Sequence, residues 1–141
     1  MPYLSVKPED GRRVRVDIGH HSLVSDLPAE WGGHDSGPTP TELFVAALAS
    51  CATQYALAYL DRQHLDLKGL EVGCHYDLGE RPERVEAVHL SVRVPYELTV
   101  EQQEGLTNAI QRCSVHASIA VPAQLRVVVA QARPPAGVAG S

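Results

Sequence analysis

The 141-residue chain is 44% hydrophobic and 21% charged, which suits one core of ordinary size and not two, so a single domain is expected over residues 1–131. Seventeen acidic residues against 12 basic ones give a net charge of −5, and Lys7 and Lys68 are the only lysines, which excludes a basic patch of the nucleic-acid-binding kind. No apolar run approaches the roughly 20 residues of a membrane-spanning helix, and MPYLSVKPEDGRR lacks the order of a secretion signal, so a cytoplasmic protein without membrane attachment is expected.

In chain order, Val14, Val16 and Ile18 alternate with Arg13, Arg15 and Asp17, the period of a half-buried strand. From Pro28 to Pro40 the run PAEWGGHDSGPTP has the composition of an ordered loop. Thr39 as N-cap, Pro40 at the first helical position and Glu42 reaching back predict a helix from Pro40 through about Gln63. Its Ala- and Leu-rich sequence is apolar on most of its circumference, the pattern of a central buried helix.

Leu70, Val72, Cys74 and Tyr76, then Val88, Leu90, Val92 and Val94 after the turn GERPER, predict an antiparallel hairpin. Thr99 and Gln102 repeat the capping-box pattern, and Leu106, Ala109, Ile110 and Cys113 space an amphipathic helix that ends near Cys113. Leu125 to Ala130 reads as a closing strand, and residues 132–141 have the composition of a disordered tail. Hairpins and single helices in place of strict βαβ alternation predict an α+β fold with an antiparallel sheet.

Three cysteines make neither a disulfide framework nor a CxxC pair, and their default state in a reducing compartment is free thiol. Cys51 lies on the stripe Phe44, Leu48, Cys51, Tyr55, Tyr59, and Cys113 closes the stripe of the second helix, so both point toward protein. Free cysteine is often simply a small core hydrophobe, and Cys74, on the apolar face of its strand, is read that way. His116, three residues after Cys113, makes a C-x-x-H that lacks the second short-spaced pair of a closed zinc site, so no metal or other cofactor is expected. His20, His21 and His34 fall in loop-like segments and are most simply surface residues.

DLPAEWGGHDSGPTPTELFVAALASC and the downstream RCSVHASI, in this order and joined by a hairpin, resemble the two motifs of the OsmC/Ohr family. The resemblance implies an intertwined homodimer around a long central helix, with an active site at the subunit interface. It implies that Cys51 attacks the peroxide bond of an organic hydroperoxide, that Cys113 resolves the sulfenic acid into a disulfide, and that a dithiol, lipoyl-linked in one branch, restores the pair.

Only a thiolate attacks well, and apolar surroundings disfavour it. Cys51 sits about twelve residues beyond its helix's N-cap, roughly 18 Å at 1.5 Å per residue, beyond reach of that helix's dipole. A positive charge is therefore expected to do the work. The family draws an arginine from the segment matching Gly11-Arg12-Arg13, with Arg13 preferred here over Arg12; the alternative for Arg13 is a solvated strand-face charge beside Arg15.

The chain departs from the peroxidase pattern at Thr41, where those members carry a glutamate ten residues before the first cysteine. Glu42 lies about 100° further round the helix, and its cap explains it. P-x-E-L with C-S-V resembles the OsmC-like branch. Two functions are therefore expected in competition: a cysteine-dependent hydroperoxide reductase, and a non-catalytic module binding an acyl or aromatic small molecule or sensing redox state.

Overall fold

The structure, a computed structural model, describes residues 1–131, and the tail expected from residue 132 lies outside the described residues. The fold is α+β with two antiparallel sheets. Strands β1 (Leu4–Asp10), β2 (Arg13–Ile18) and β3 (His21–Ser25) form a meander in the order β1-β2-β3. The alternation of β2 is that read from the sequence. β1 carries Lys7, Pro8, Glu9 and Asp10 and β3 is only five residues long, so neither shows a strand period by itself. The register aligns Val6, Val16 and Leu23 across the sheet, yet Leu4, Val6, Ile18 and Leu23 are all exposed.

The loop from residue 26 to 38 is ordered, as its composition predicts, around the buried carboxylate of Asp26. Asp26 accepts hydrogen bonds from the Ser36 hydroxyl (2.6 Å) and from the backbone N–H groups of Leu27 (2.8 Å), His34 (3.1 Å) and Ser36 (3.1 Å). Gly33 is required here, because any side chain would run into the carbonyl of Leu27. The Ser25 hydroxyl and the Asp26 N–H both donate to the Pro38 carbonyl, which delivers the chain to the start of the first helix.

Helix α1 (Pro40–Arg62) begins with the predicted capping box: Glu42 N–H donates to Thr39 Oγ1, and Thr39 N–H donates to Glu42 Oε1, both at 3.1 Å. One correction concerns its composition. By length and hydropathy α1 would suffice to cross a membrane, contrary to the sequence expectation that no run does. It serves instead as a core helix, burying the stripe Val45, Leu48, Ala52, Ala56, Leu60 against the rest of the chain. A single chain covers only that stripe; Phe44 and Tyr55 remain exposed.

Strands β4 (Glu71–Glu80) and β5 (Glu83–Arg93) pair with Cys74 opposite Leu90 and with a bulge at Asp77/Leu78. The ladder continues to Glu80 opposite Glu83, so most of the segment expected as turn is strand. Helix α2 (Val100–Gln111) opens with the Thr99/Gln102 box and packs on α1, where Gly105 lets the ring of Tyr59 approach its backbone. Leu106 of α2 joins Ala56 and Leu60 in the core, with Leu70, Val92 and Ile110 around them. A further helix, α3 (Ser114–Ala120), follows at once and packs on α1. Seven residues are too few to display a helical period, so its residue pattern alone does not announce it.

The predicted strand from Leu125 to Ala130 is absent. Among the described residues the segment pairs with nothing, and Leu125, Val128 and Val129 are 88%, 89% and 88% exposed. A strand exists only as a ladder with a neighbour, and neither sheet of this chain supplies one.

The hydrogen bond from Ser36 leads the interactions that hold the Asp26 carboxyl far below the usual carboxylate range, with the three backbone N–H groups adding to it against the effect of burial. Because the folded value is depressed, this contribution is complete above the unfolded value of about 3.9 and is lost as pH falls below it. Asp26→Asn should therefore be less stable than wild type at pH 7 in denaturant melts, with the gap closing below about pH 4. A gap that does not change with pH would contradict this role for the carboxylate.

Candidate functional site

Cys51 and Cys113 are brought together where α1, the end of α2 and the start of α3 meet. Cys51 sits on α1 beside the buried stripe and is half-buried; Cys113 is fully buried. Cys113 is the N-cap of α3, and its sulfur accepts the backbone N–H of His116 at 3.2 Å. That cap turns the chain so that the hydroxyl of Ser114 lies 3.8 Å from Cys51 Sγ and the free backbone N–H groups of Ser114 and Val115 face the same sulfur.

These contacts set the two thiols apart. Burial opposes ionisation of Cys51, but the thiol of Cys113, the N–H groups of Val115 and Ser114 and the Ser114 hydroxyl together outweigh it, so the Cys51 thiol lies below its ordinary value. Burial first, and then the neighbouring Cys51, push the Cys113 thiol up, and the N–H of His116 only partly offsets them. The two sulfurs are therefore set in opposite directions, ionisation being favoured at Cys51 and disfavoured at Cys113. Cys74, on β4, is pushed up by burial and takes no part in the cluster.

Arginine is not among the groups that act on Cys51 in this chain. Arg13 is ion-paired with Glu9 across the β1–β2 turn at 3.0 Å, and Arg12 lies over Gly32 of the loop. The expectation that α1 itself cannot assist Cys51 stands on distance. What it omitted is that a different helix begins beside the sulfur.

Thr41 lines a cleft with Trp31, Tyr76 and Arg84 at the N-terminal end of α1, away from the sulfur pair. His20 and His21 stack on each other at the β2–β3 turn, 4.1 Å between ring centroids. Among the described residues no three His, Cys, Asp or Glu side chains gather as a metal site.

An apolar cavity of about 490 Å3 lies between α1, β5, α2 and α3. Phe44 and Leu48, two turns and one turn before Cys51, form one wall, Val88 and Ile110 another, and His116 and Ile119 close it from α3. Ser114 and Val115 were given no role of their own from the sequence; their signal was the C-S-V motif that contains them.

Residues 33–127 match the sequence model of a family described as OsmC-like protein. No curated protein matches the chain significantly. Among solved structures, a Psychrobacter arcticus protein named for osmotic stress induction and a detoxification response superposes with a TM-score of 0.77 at 22% identity, over 84% of this chain and 88% of that one. An organic hydroperoxide resistance protein OsmC from Legionella pneumophila gives 0.60 at 21% identity, over 84% and 88%. One from Vibrio cholerae, with captopril bound in one of its active sites, gives 0.61 at 25% identity, over 85% and 84%.

The donors at the start of α3 can be removed without disturbing the helix. Ser114→Pro deletes one N–H and the hydroxyl at the first helical position, where proline is well tolerated. The preceding Cys113 already has the extended backbone that proline prefers before it. Alkylation of Cys51 by iodoacetamide, followed against pH, should then titrate at higher pH than in wild type. An unchanged profile would mean that these donors do not govern the thiolate.

Proposed function

The chain belongs to the OsmC-like protein family, and from that premise we propose that it is a thiol-dependent reductase of organic hydroperoxides, with Cys51 as the attacking thiol and Cys113 as the resolving one. The observation that carries this is the opposite setting of two adjacent sulfurs, one favoured as thiolate and one held as thiol. The Cys51 thiolate takes the distal oxygen of R–O–OH as the O–O bond breaks, leaving a Cys51 sulfenic acid and RO−, which becomes the alcohol on protonation. The Cys113 sulfur then displaces hydroxide from the sulfenic sulfur; its own proton accompanies the hydroxide as water, and a disulfide forms. An intracellular dithiol, such as a lipoyl group, returns both thiols and is itself oxidised, which places the work in a reducing compartment such as the cytoplasm.

The names of the structural relatives point the same way, toward defence against organic hydroperoxides and oxidative stress. The proposed unit is a homodimer. In support, the chain exposes the apolar row of its N-terminal sheet and the unpaired segment from Leu125 to Val129, surfaces that a second copy would cover. Arg13 enters the mechanism only through such an assembly, because Glu9 holds its guanidinium in the single chain.

A second function, binding an acyl or aromatic molecule without turnover, is favoured by the apolar cavity and by Thr41 standing where peroxidase members carry glutamate.

One equivalent of cumene hydroperoxide, followed by peptide mapping, separates the two. The reductase yields an intrachain Cys51–Cys113 disulfide while Cys74 stays alkylatable under denaturing conditions; intact Cys51, or a bridge to Cys74, overturns it. Light scattering at micromolar concentration should give a dimer, and a well-behaved monomer would overturn the shared-interface architecture.

A further inference from the structure

Helix α3 has little to hold it except its start. It is seven residues long, none of its side chains is buried, and a helix this short is marginal in water. Its first three N–H groups all meet sulfur. That of His116 donates to Cys113 Sγ at 3.2 Å, and those of Ser114 and Val115 face Cys51 Sγ. The Ser114 hydroxyl, 3.8 Å from Cys51 Sγ, adds a side-chain link to α1. The two sulfurs are also neighbours of each other, so the pair able to form a disulfide is the pair that caps α3.

We propose that α3 is a redox-operated latch: oxidation of Cys51 and Cys113 to a disulfide releases the start of the helix, and with it one wall of the apolar cavity. The pairing of the two cysteines is shared with the reductase function above; the release of the helix is not. As thiol and thiolate the sulfurs accept hydrogen bonds, and negative charge at Cys51 favours a helix N-terminus beside it. In the disulfide neither sulfur is charged. Closing the pair from contact to a bond also draws Cys113 Sγ toward α1, whose buried stripe holds Cys51 in place, and away from the N–H of His116. The first N–H groups of α3 then turn to water. Because α3 supplies His116, Ile119 and Ala120 to the cavity lining, the reduced protein keeps the cavity closed on that side and the oxidised protein opens it. Retention of an apolar molecule in the cavity thereby follows the state of the sulfurs.

Diamide, an azo oxidant, makes the bridge without any hydroperoxide: its N=N bond takes up two electrons and both thiol protons to become a hydrazine, and the sulfurs join. Amide hydrogen exchange, read by mass spectrometry on peptides from α3 and from α2, is compared for the reduced and the diamide-oxidised chain. Oxidation should speed exchange in α3 by about fivefold or more, the scale of a lost N-cap, and leave α2 unchanged. In reducing buffer Cys113→Ala should speed exchange in α3 as well. Cys113→Ser, whose hydroxyl caps a helix but forms no bridge, should stay within about twofold of wild type.

Unchanged α3 exchange in a chain that carries the Cys51–Cys113 disulfide overturns the latch and leaves the reductase function standing. So does a Cys113→Ala chain that exchanges like wild type, or a rise shared equally by α2; the wild-type comparison decides even where a variant fails to fold. Diamide that yields no Cys51–Cys113 bridge overturns the latch together with the resolving role of Cys113. A chain whose α3 loosens with diamide while cumene hydroperoxide leaves Cys51 intact keeps the latch and loses the reductase function.

Discussion

The arrangement of the site depends on one hydrogen bond, from the backbone N–H of His116 to the sulfur of Cys113. By capping α3 with that sulfur, the chain turns sharply after α2 and begins a new helix against the side of α1. Three consequences follow from the same turn. The free N–H groups of Ser114 and Val115 come to face Cys51, the buried sulfur of Cys113 is placed beside it, and His116 is carried to the rim of the apolar cavity. Ionisation favoured at Cys51 is disfavoured at Cys113, first by burial and then by the neighbouring Cys51, so the two adjacent sulfurs are chemically unequal.

The far end of α1 is fixed with equal care by different means. A buried carboxylate collects four donors from a loop too rich in glycine and proline to hold itself by a ladder, and the Thr39/Glu42 box then starts the helix at a defined residue. Between these two anchors the helix presents Phe44, Leu48 and Cys51 in successive turns, the first two of them on the wall of the cavity.

The chain also leaves a large apolar surface uncovered. The row across the N-terminal sheet, the open side of α1 at Phe44 and Tyr55, and the run from Leu125 to Val129 all face outward. In the homodimer proposed above, a second copy would cover these surfaces.

The sequence by itself determined the elements whose signals are local. The capping boxes at Thr39 and Thr99, the alternation of Arg13–Ile18 and of the β4–β5 hairpin, and the ordered loop before Pro40 each depend on residues within a few positions of one another. The closeness of Cys51 and Cys113 was legible only through resemblance to known motifs, because the 61 residues of intervening chain carry no local record of a contact. Tertiary structure alone decided the rest. A helix as short as Ser114–Ala120 has no period to read, and its start assists Cys51 only because α2 delivers it there. The apolar run after Leu125 has every property of a strand except a neighbour, and pairing is not a property of the run. Arg13 has the charge that Cys51 was expected to need; within the single chain the group beside it is Glu9, and its proposed role rests on a second copy.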